Sequence, residues 1–226
     1  MKIVLIGAPG SGKGTQSSLV RKRYDLSYLA TGDMLRDAVA RKTPQGILAK
    51  NAMDAGKLVD DEIVFDIVVS ATNESKNANG CVLDGFPRTV RQATMMENAN
   101  IHVDKAIEFS VPDDVILKRT SGRWIHQASG RTYHEEFRPP KTPGVDDVTG
   151  EPLIQRPDDR FEVAKKRLEL FKSEANTLAE FYKTRGVYVR VDANRIVDEV
   201  YKTIVDHLDP IASSLNIQIN EADNIS

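Results

Sequence analysis

GAPGSGKGT, residues 7–15, decides how this chain folds. The general phosphate-binding loop reads G-x-x-x-x-G-K-[ST], with a hydroxyl straight after the lysine that helps to hold Mg²⁺. Gly7, Gly12 and Lys13 fit, but Gly14 follows the lysine and the hydroxyl arrives one place late, at Thr15. Just before the loop, KIVLI (Lys2–Ile6) is a short apolar run ending in glycine, the mark of a buried strand. Just after it, Leu19, Val20 and Tyr24 are spaced for one helix face. A glycine-rich loop between strand and helix offers backbone N–H groups to a phosphate, and the helix dipole adds to their pull. Gly14 moves the hydroxyl without disturbing that cradle.

The same strand-then-turn grammar recurs in CVLDG (81–85), AIEFSV (106–111) and VYVRVD (187–192), and more weakly in LSYLAT, which ends at Thr31. Between these runs, Phe161, Ala164, Leu168, Phe171, Ala175, Leu178 and Tyr182 step by three and four along one helix face. Val197, Val200, Tyr201, Ile204, Val205 and Leu208 trace another. Strands alternating with helices predict a doubly wound α/β fold, a five-stranded parallel sheet with helices on both faces. Two segments break the alternation. Residues 31–69 read as helical, punctuated by Gly32, Pro44, Gly46 and Gly56. Residues 122–159, rich in proline and turn pairs, read as an inserted small β-ribbon. After Asp209 and Pro210 the mostly polar IASSLNIQINEADNIS predicts a frayed tail.

The 226 residues suit one α/β domain with insertions, and 40% hydrophobic content is enough for a substantial core. A formal charge of −2 gives no global reason to expect a nucleic-acid or membrane partner. No apolar run approaches the ~18 residues of a membrane helix. The single cysteine, Cys81, suits a reducing compartment, and the expected location is the cytoplasm.

Five ordered motifs, GAPGSGKGTQ (7–16), TGDMLR (31–36), DAGKLV (54–59), LDGFPRT (83–89) and VTGEPL with RPDD (148–159), give the chain its resemblance to the adenylate kinases, in their long-lid form. The GKGT variant of the loop belongs to that family of nucleoside monophosphate kinases. The resemblance runs from Met1 to about Leu208. It implies a core of residues 1–29, 60–121 and 160–208, an AMP-binding insertion at 30–59, a lid at 122–159 and a C-terminal tail at 209–226. It also implies reversible, Mg²⁺-dependent transfer of the ATP γ-phosphoryl group to AMP, giving two ADP, by a monomer. Alternatives are a GTP-dependent AMP phosphotransferase or a kinase for another monophosphate. A nucleotide-dependent switch protein would want a Ser or Thr directly after the lysine and an N-K-x-D segment, and neither is present.

Phosphoryl transfer asks for positioning and charge cancellation more than for a protein nucleophile. His102, His126, His134 and His207 have no Ser or Cys partner in a hydrolase motif, whereas arginines recur beside the motifs. Each arginine alone reads equally well as a solvated surface group; together they match the chemistry, because a planar fork suits phosphate. By resemblance, Gly10, Ser11, Gly12, Lys13, Gly14 and Thr15 hold the ATP phosphates, and Arg119, Arg123, Thr132, Tyr133 and the backbone of Arg195 meet ATP. AMP meets Thr31, Arg36, Lys57, Leu58, Val59, Gly85, Phe86, Pro87, Arg88 and Gln92, with Arg156 and Arg167 bridging the reacting phosphates. The catalytic set is then Lys13, Arg88, Arg123, Arg156 and Arg167. The Gln92 amide carries the donor and acceptor an adenine edge requires. Asp84 reads either as orienting waters on Mg²⁺ or as a turn cap, and Asp33 equally as a helix cap. Some long-lid relatives carry a four-cysteine zinc site. The matching places here are His126, Ser129, Asp146 and Thr149, and neutral hydroxyls are poor zinc ligands. We therefore expect a hydrogen-bonded staple and no structural zinc.

Overall fold

The computed structural model describes residues 1–55, 57–74 and 79–220; Gly56, counted above among the breaks, and the tail residues 221–226 lie outside them. The central strand β1 (Lys2–Ile6) is the apolar run before the loop, and α1 (Lys13–Tyr24) follows it. β2 (Ser27–Ala30), the weaker strand candidate, forms one edge, beside β3 (Cys81–Asp84). β4 (Lys105–Ser110) flanks β1 on its other side. The closing strand of the sheet, at residues 188–192, completes the order β2-β3-β1-β4 and then itself, with every pairing parallel. Registers such as Val4↔Leu83 and Val4↔Ala106 put the strand ends in line.

A parallel sheet is buried on both faces, so its strands read as unbroken apolar runs. The period of two sorts them. Ile3, Leu5, Val82, Ile107 and Phe109 join a core with Val20 and Tyr24 of α1 and with Ile204 and Leu208 of the last helix. Val4, Ile6, Leu83 and Ala106 face the opposite core, built by α4 (Asp61–Glu74), α5 (Val90–Asn98) and the long helix at 161–183. This is the expected doubly wound fold. In the long helix Ala164, Leu168, Leu178 and Tyr182 are buried as the stripe predicts, but Phe161, at its exposed first turn, is not.

Residues 31–54 form two helices, α2 (Thr31–Ala40) and α3 (Pro44–Asp54). Pro44 opens α3 as expected, behind Thr43, whose hydroxyl accepts from the Gly46 N–H. Gly32 and Gly46, expected as breaks, lie inside helices. The reason at Gly46 is packing: a Cβ there would stand 2.1 Å from the Ala38 carbonyl oxygen, so only glycine lets α3 cross α2 this closely. After α6 (Asp113–Ser121), β5 (Arg123–Ile125) and β6 (Thr132–His134) form the antiparallel ribbon, extended by an Ile125↔Ile154 bridge. The remaining elements are α7 (Phe161–Lys183), β7 (Tyr188–Asp192) and α8 (Val197–Ser214).

The tail corrects the expectation of fraying over its described part. α8 runs through Pro210 to Ser214 because Ala212 continues its buried face. Asp209 takes a bidentate pair from Arg23 and a 2.5 Å hydrogen bond from the Tyr24 hydroxyl. Ile217 is buried against the same core, and Asn220 donates to the Lys22 and Arg23 carbonyls at the end of α1.

Candidate active site

The loop 7–12 leaves β1 at its C-terminal end, the end where an open parallel sheet places its ligands. Gly12 caps α1 in a left-handed conformation (φ 93°) with no side-chain cap, and no acid sits in the first turn. The helix therefore presents its N–H groups and dipole to the cleft without a competing group. Gly10 is required by its surroundings: its φ is +83°, and a Cβ would meet the Thr120 hydroxyl at 2.4 Å. Lys13 lies along this loop, donating to the carbonyls of Gly7 (2.7 Å) and Ala8 (3.0 Å), with Asp84 3.9 Å away. Burial, partly offset by Asp84 and reinforced by nearby arginines, lowers its pKa to about 8. Asp84 also accepts from the Tyr28 hydroxyl at 2.8 Å.

The cleft above the loop measures about 1210 Å³. It is lined by Gly10 to Thr15, Thr31, Arg36, Lys57, Leu58, Val59, Asp84, Gly85, Pro87, Arg88, Gln92, Arg119, Arg123, Thr132, Tyr133, Arg156, Arg167 and Arg195. Phe86 is the exception among the expected residues: it is fully buried behind the wall, against Phe65. Three buried polar atoms without a partner among the described residues, Ser11 Oγ, Gln16 Oε1 and Thr31 Oγ1, belong to residues of this same lining. Buried polar atoms are normally paired, so orphans gathered on one cleft mark a place for a polar ligand.

The arginines are held by acids. Arg123 makes a bidentate pair with the buried Asp159 (2.9 and 2.5 Å). Arg167 contacts Asp158 at 2.9 Å and Asp159 at 3.6 Å. Asp33 bridges Arg36 (2.6 Å) and Arg156 (3.1 Å), so it is an ion-pair partner and makes no cap at the start of α2. Burial lowers the pKa of Arg88 and Arg156, and that of Arg167 to about 10; for Arg123 burial acts the same way but the Asp159 pair outweighs it, and its pKa rises. Guanidinium groups stay protonated regardless. Burial is the leading cause of each lowering, so these charges are held out of water at a cost to the fold.

On the α2–α3 side, Arg88 donates through Nε to the Gly85 carbonyl at 2.8 Å. The Gln92 amide is already engaged at both ends, accepting from the Arg88 N–H (2.6 Å) and donating to Asp61 (2.7 Å). On the other side Arg119 reaches the Ala193 carbonyl at 3.4 Å, and its guanidinium lies 5.9 Å from the centre of the Phe137 ring, a half-exposed apolar plate. The Arg195 side chain turns to Asp192 at 3.0 Å, and Arg195 is among the residues that line the cleft.

In the ribbon the expected quartet is hydrogen-bonded: His126 to Ser129 at 2.7 Å, Thr149 to Asp146 at 2.9 Å, and Thr149 to His126 at 3.4 Å. The network is larger than its spacing suggested. Asp146 is fully buried, takes a bidentate pair from Arg131 and a bond from the Tyr133 hydroxyl, and its pKa is held far below the usual range chiefly by Arg131. Glu151 meets the other nitrogen of His126.

Sequence reasoning missed Tyr28, Asp61, Thr120 and Phe137, and saw no partner role for Asp158 and Asp159. Asp61 opens a helix and so looks like a cap, and only tertiary contact reveals the others.

A family profile described as Adenylate kinase matches residues 5–187. Among curated proteins, Adenylate kinase 4 of Arabidopsis thaliana is 49% identical over 203 residues, covering 88% of this chain and 82% of its own. Adenylate kinase 4 of Oryza sativa subsp. japonica is also 49% identical, covering 88% of this chain and 84% of its own. Adenylate kinase 3 of the same rice is 48% identical with the same coverage.

Proposed function

We propose the following course of reaction on the premise that this chain belongs to the adenylate kinase family and is a nucleoside monophosphate kinase that phosphorylates AMP. The observation that carries it is the convergence of Lys13, Arg36, Arg88, Arg123, Arg156 and Arg167, from separate segments of the chain, on one cleft floored by an uncapped helix N-terminus. Two polyanions brought together there meet a field already built for the charge of the transition state. The donor ATP lies with its phosphates on residues 10–15 and its base toward Arg119, Phe137 and residues 193–195. AMP lies under α2 and α3, its phosphate between Arg36 and Arg88. An AMP phosphate oxygen attacks the γ-phosphorus, the bond to the β–γ bridging oxygen breaks, and ADP leaves on each side. Lys13, Arg123, Arg156 and Arg167 follow the phosphoryl group as its charge moves.

Bound with ATP, Mg²⁺ would supply neutralisation of the phosphate charge. Oxygen donors suit it, and the Asp84 carboxylate and the exposed Thr15 hydroxyl, both on the cleft, are the groups that fit. Residues 30–59 act as the AMP-binding unit and 122–159 as a lid that excludes water, a competing acceptor. Residues 1–29, 60–121 and 160–208 serve as the core and 209–226 as a tail. We read the protein as a monomer, the state its resemblance implies. The lone buried cysteine supports a cytoplasmic setting, and no helix among the described residues is long and apolar enough to cross a membrane.

Crossing ATP and GTP with AMP, CMP, UMP and GMP in a coupled assay tests the reading. The expected result is rapid, reversible turnover of ATP with AMP and slower rates elsewhere. A preference for GTP, or for a pyrimidine acceptor, would overturn the base assignments.

A further inference from the structure

Gln92 sits in the first turn of α5, almost fully buried, with its amide at the wall of the cleft. Its Oε1 accepts from the Arg88 backbone N–H at 2.6 Å, and its Nε2 donates to Asp61 Oδ1 at 2.7 Å. A backbone N–H only donates, and a carboxylate only accepts. Turning the amide half a revolution would set oxygen against oxygen at Asp61 and N–H against N–H at Arg88. The orientation of the amide is therefore dictated by its partners. One N–H and one lone pair of the amide remain for a ligand.

A purine tells the two orientations apart. Adenine's N6 amine donates where guanine's O6 accepts, and at the neighbouring N1 adenine accepts where guanine donates. An amide held one way complements adenine, and the same amide turned over complements guanine. We propose that Asp61, by holding the Gln92 amide in one orientation, is a positioning residue that selects adenine over guanine in the monophosphate acceptor. The proposal rests on the acceptor-site reading above. Asp61 comes from the start of α4, and its second oxygen lies 3.9 Å from Arg91, so the carboxylate also has an ionic neighbour that an alternative, purely electrostatic role would use.

The test compares kcat/KM for AMP and GMP, with ATP as donor, in the full chain and in Asp61→Ala and Asp61→Asn. In Asp61→Ala the amide loses its nitrogen-side partner, and the AMP-over-GMP ratio falls about tenfold, the scale of one lost base-reading contact, with KM for ATP unchanged. Asp61→Asn turns its own oxygen to Gln92 and keeps the ratio within about twofold. Equal losses for AMP and GMP in Asp61→Ala, or the same fall in both variants, would overturn the proposal, since either outcome assigns Asp61 to charge or to folding. A wild-type protein that shows no preference for AMP defeats the acceptor-site reading itself, which separates the two failures. Should Asp61→Ala fail to fold, side-chain NMR of the wild type decides the matter, with the Gln92 amide assigned by its loss in Gln92→Met. AMP should shift only one of the two amide protons, leaving the one bonded to Asp61 in place. Movement of that proton on binding AMP would show that the hold is broken in the complex and overturn the proposal.

Discussion

Lys13 is the residue at which fold and chemistry pull against each other. Its folded pKa of about 8 lies below the model-peptide value of 10.5, so the folded protein holds this proton less tightly than the unfolded chain does. Below pH 8 the lysine is charged in both states, and its burial costs the fold about 3 kcal/mol. That cost is relieved as pH rises from about 8 toward 10.5. Lys13→Met should therefore melt no lower than the wild type near neutral pH, while turnover drops by about 10³-fold. Calorimetry and a coupled assay check the pair, and a folded variant with near-normal kcat would contradict the role given to the loop. The same shift predicts a pH profile. In the free enzyme kcat/KM for ATP should fall as pH rises past about 8. Lys13→Arg, which stays charged, should lose that inflection even if its rate is low; an inflection that persists belongs to another group.

At the scale of elements, α6 is joined to the phosphate loop by one hydroxyl. Thr120 Oγ1 is buried between the Ile116 carbonyl at 2.8 Å and the Pro9 carbonyl at 3.0 Å, and its single proton serves one of them at a time. Arg119 precedes it and Arg123 opens β5 just after it, so the loop is tied to the point where the chain enters the ribbon. Thr120→Val removes the hydroxyl without changing the shape. It should weaken ATP binding about fivefold, the worth of one hydrogen bond, with AMP affinity unchanged. Thr120→Ser should restore it, and titration calorimetry separates the two nucleotides. Equal weakening for both would reduce Thr120 to a packing residue.

The elements were legible from sequence where a local rule sufficed. Each of the five strands of the parallel sheet begins or ends as an apolar run beside a turn, and α7 and α8 carry their stripes openly. Gly46 was misread because glycine marks a break and a close crossing with the same letter, and Gly32 because it sits inside the first turn of α2. The tail was misread because Pro210 and a polar composition hide the buried Ala212 and Ile217. The cationic half of the site was readable from motifs, since phosphate chemistry names its residues. The acidic half was not: Asp33 meets Arg156, Asp61 meets Gln92 and Asp159 meets Arg123 only once the chain has folded, and Asp158 holds Arg167 across a helix start.

Taken whole, the molecule gathers cations from units that are separate in sequence, and a polyanion long enough to span both nucleotide positions should draw them together. Two adenosines joined by five phosphates should bind more tightly than ATP or AMP, because the second contact becomes intramolecular. Cys81 is buried, so cysteines introduced at Val148, in the ribbon, and at Lys202, on α8, can be labelled selectively. Energy transfer between the two dyes should change on adding the compound. Binding no better than that of ATP, with transfer unchanged, would defeat the two-nucleotide arrangement.

The docking of Asn220 on the last carbonyls of α1 also settles where the molecule can be handled. α1 begins at the loop and spans 12 residues, about 18 Å of helix. A group grafted at Asn220 starts from the far end of that rod, about 18 Å of helix from the loop. The chain thus carries its own mooring point, from which it can be tethered to a bead or a surface while both nucleotides still come and go.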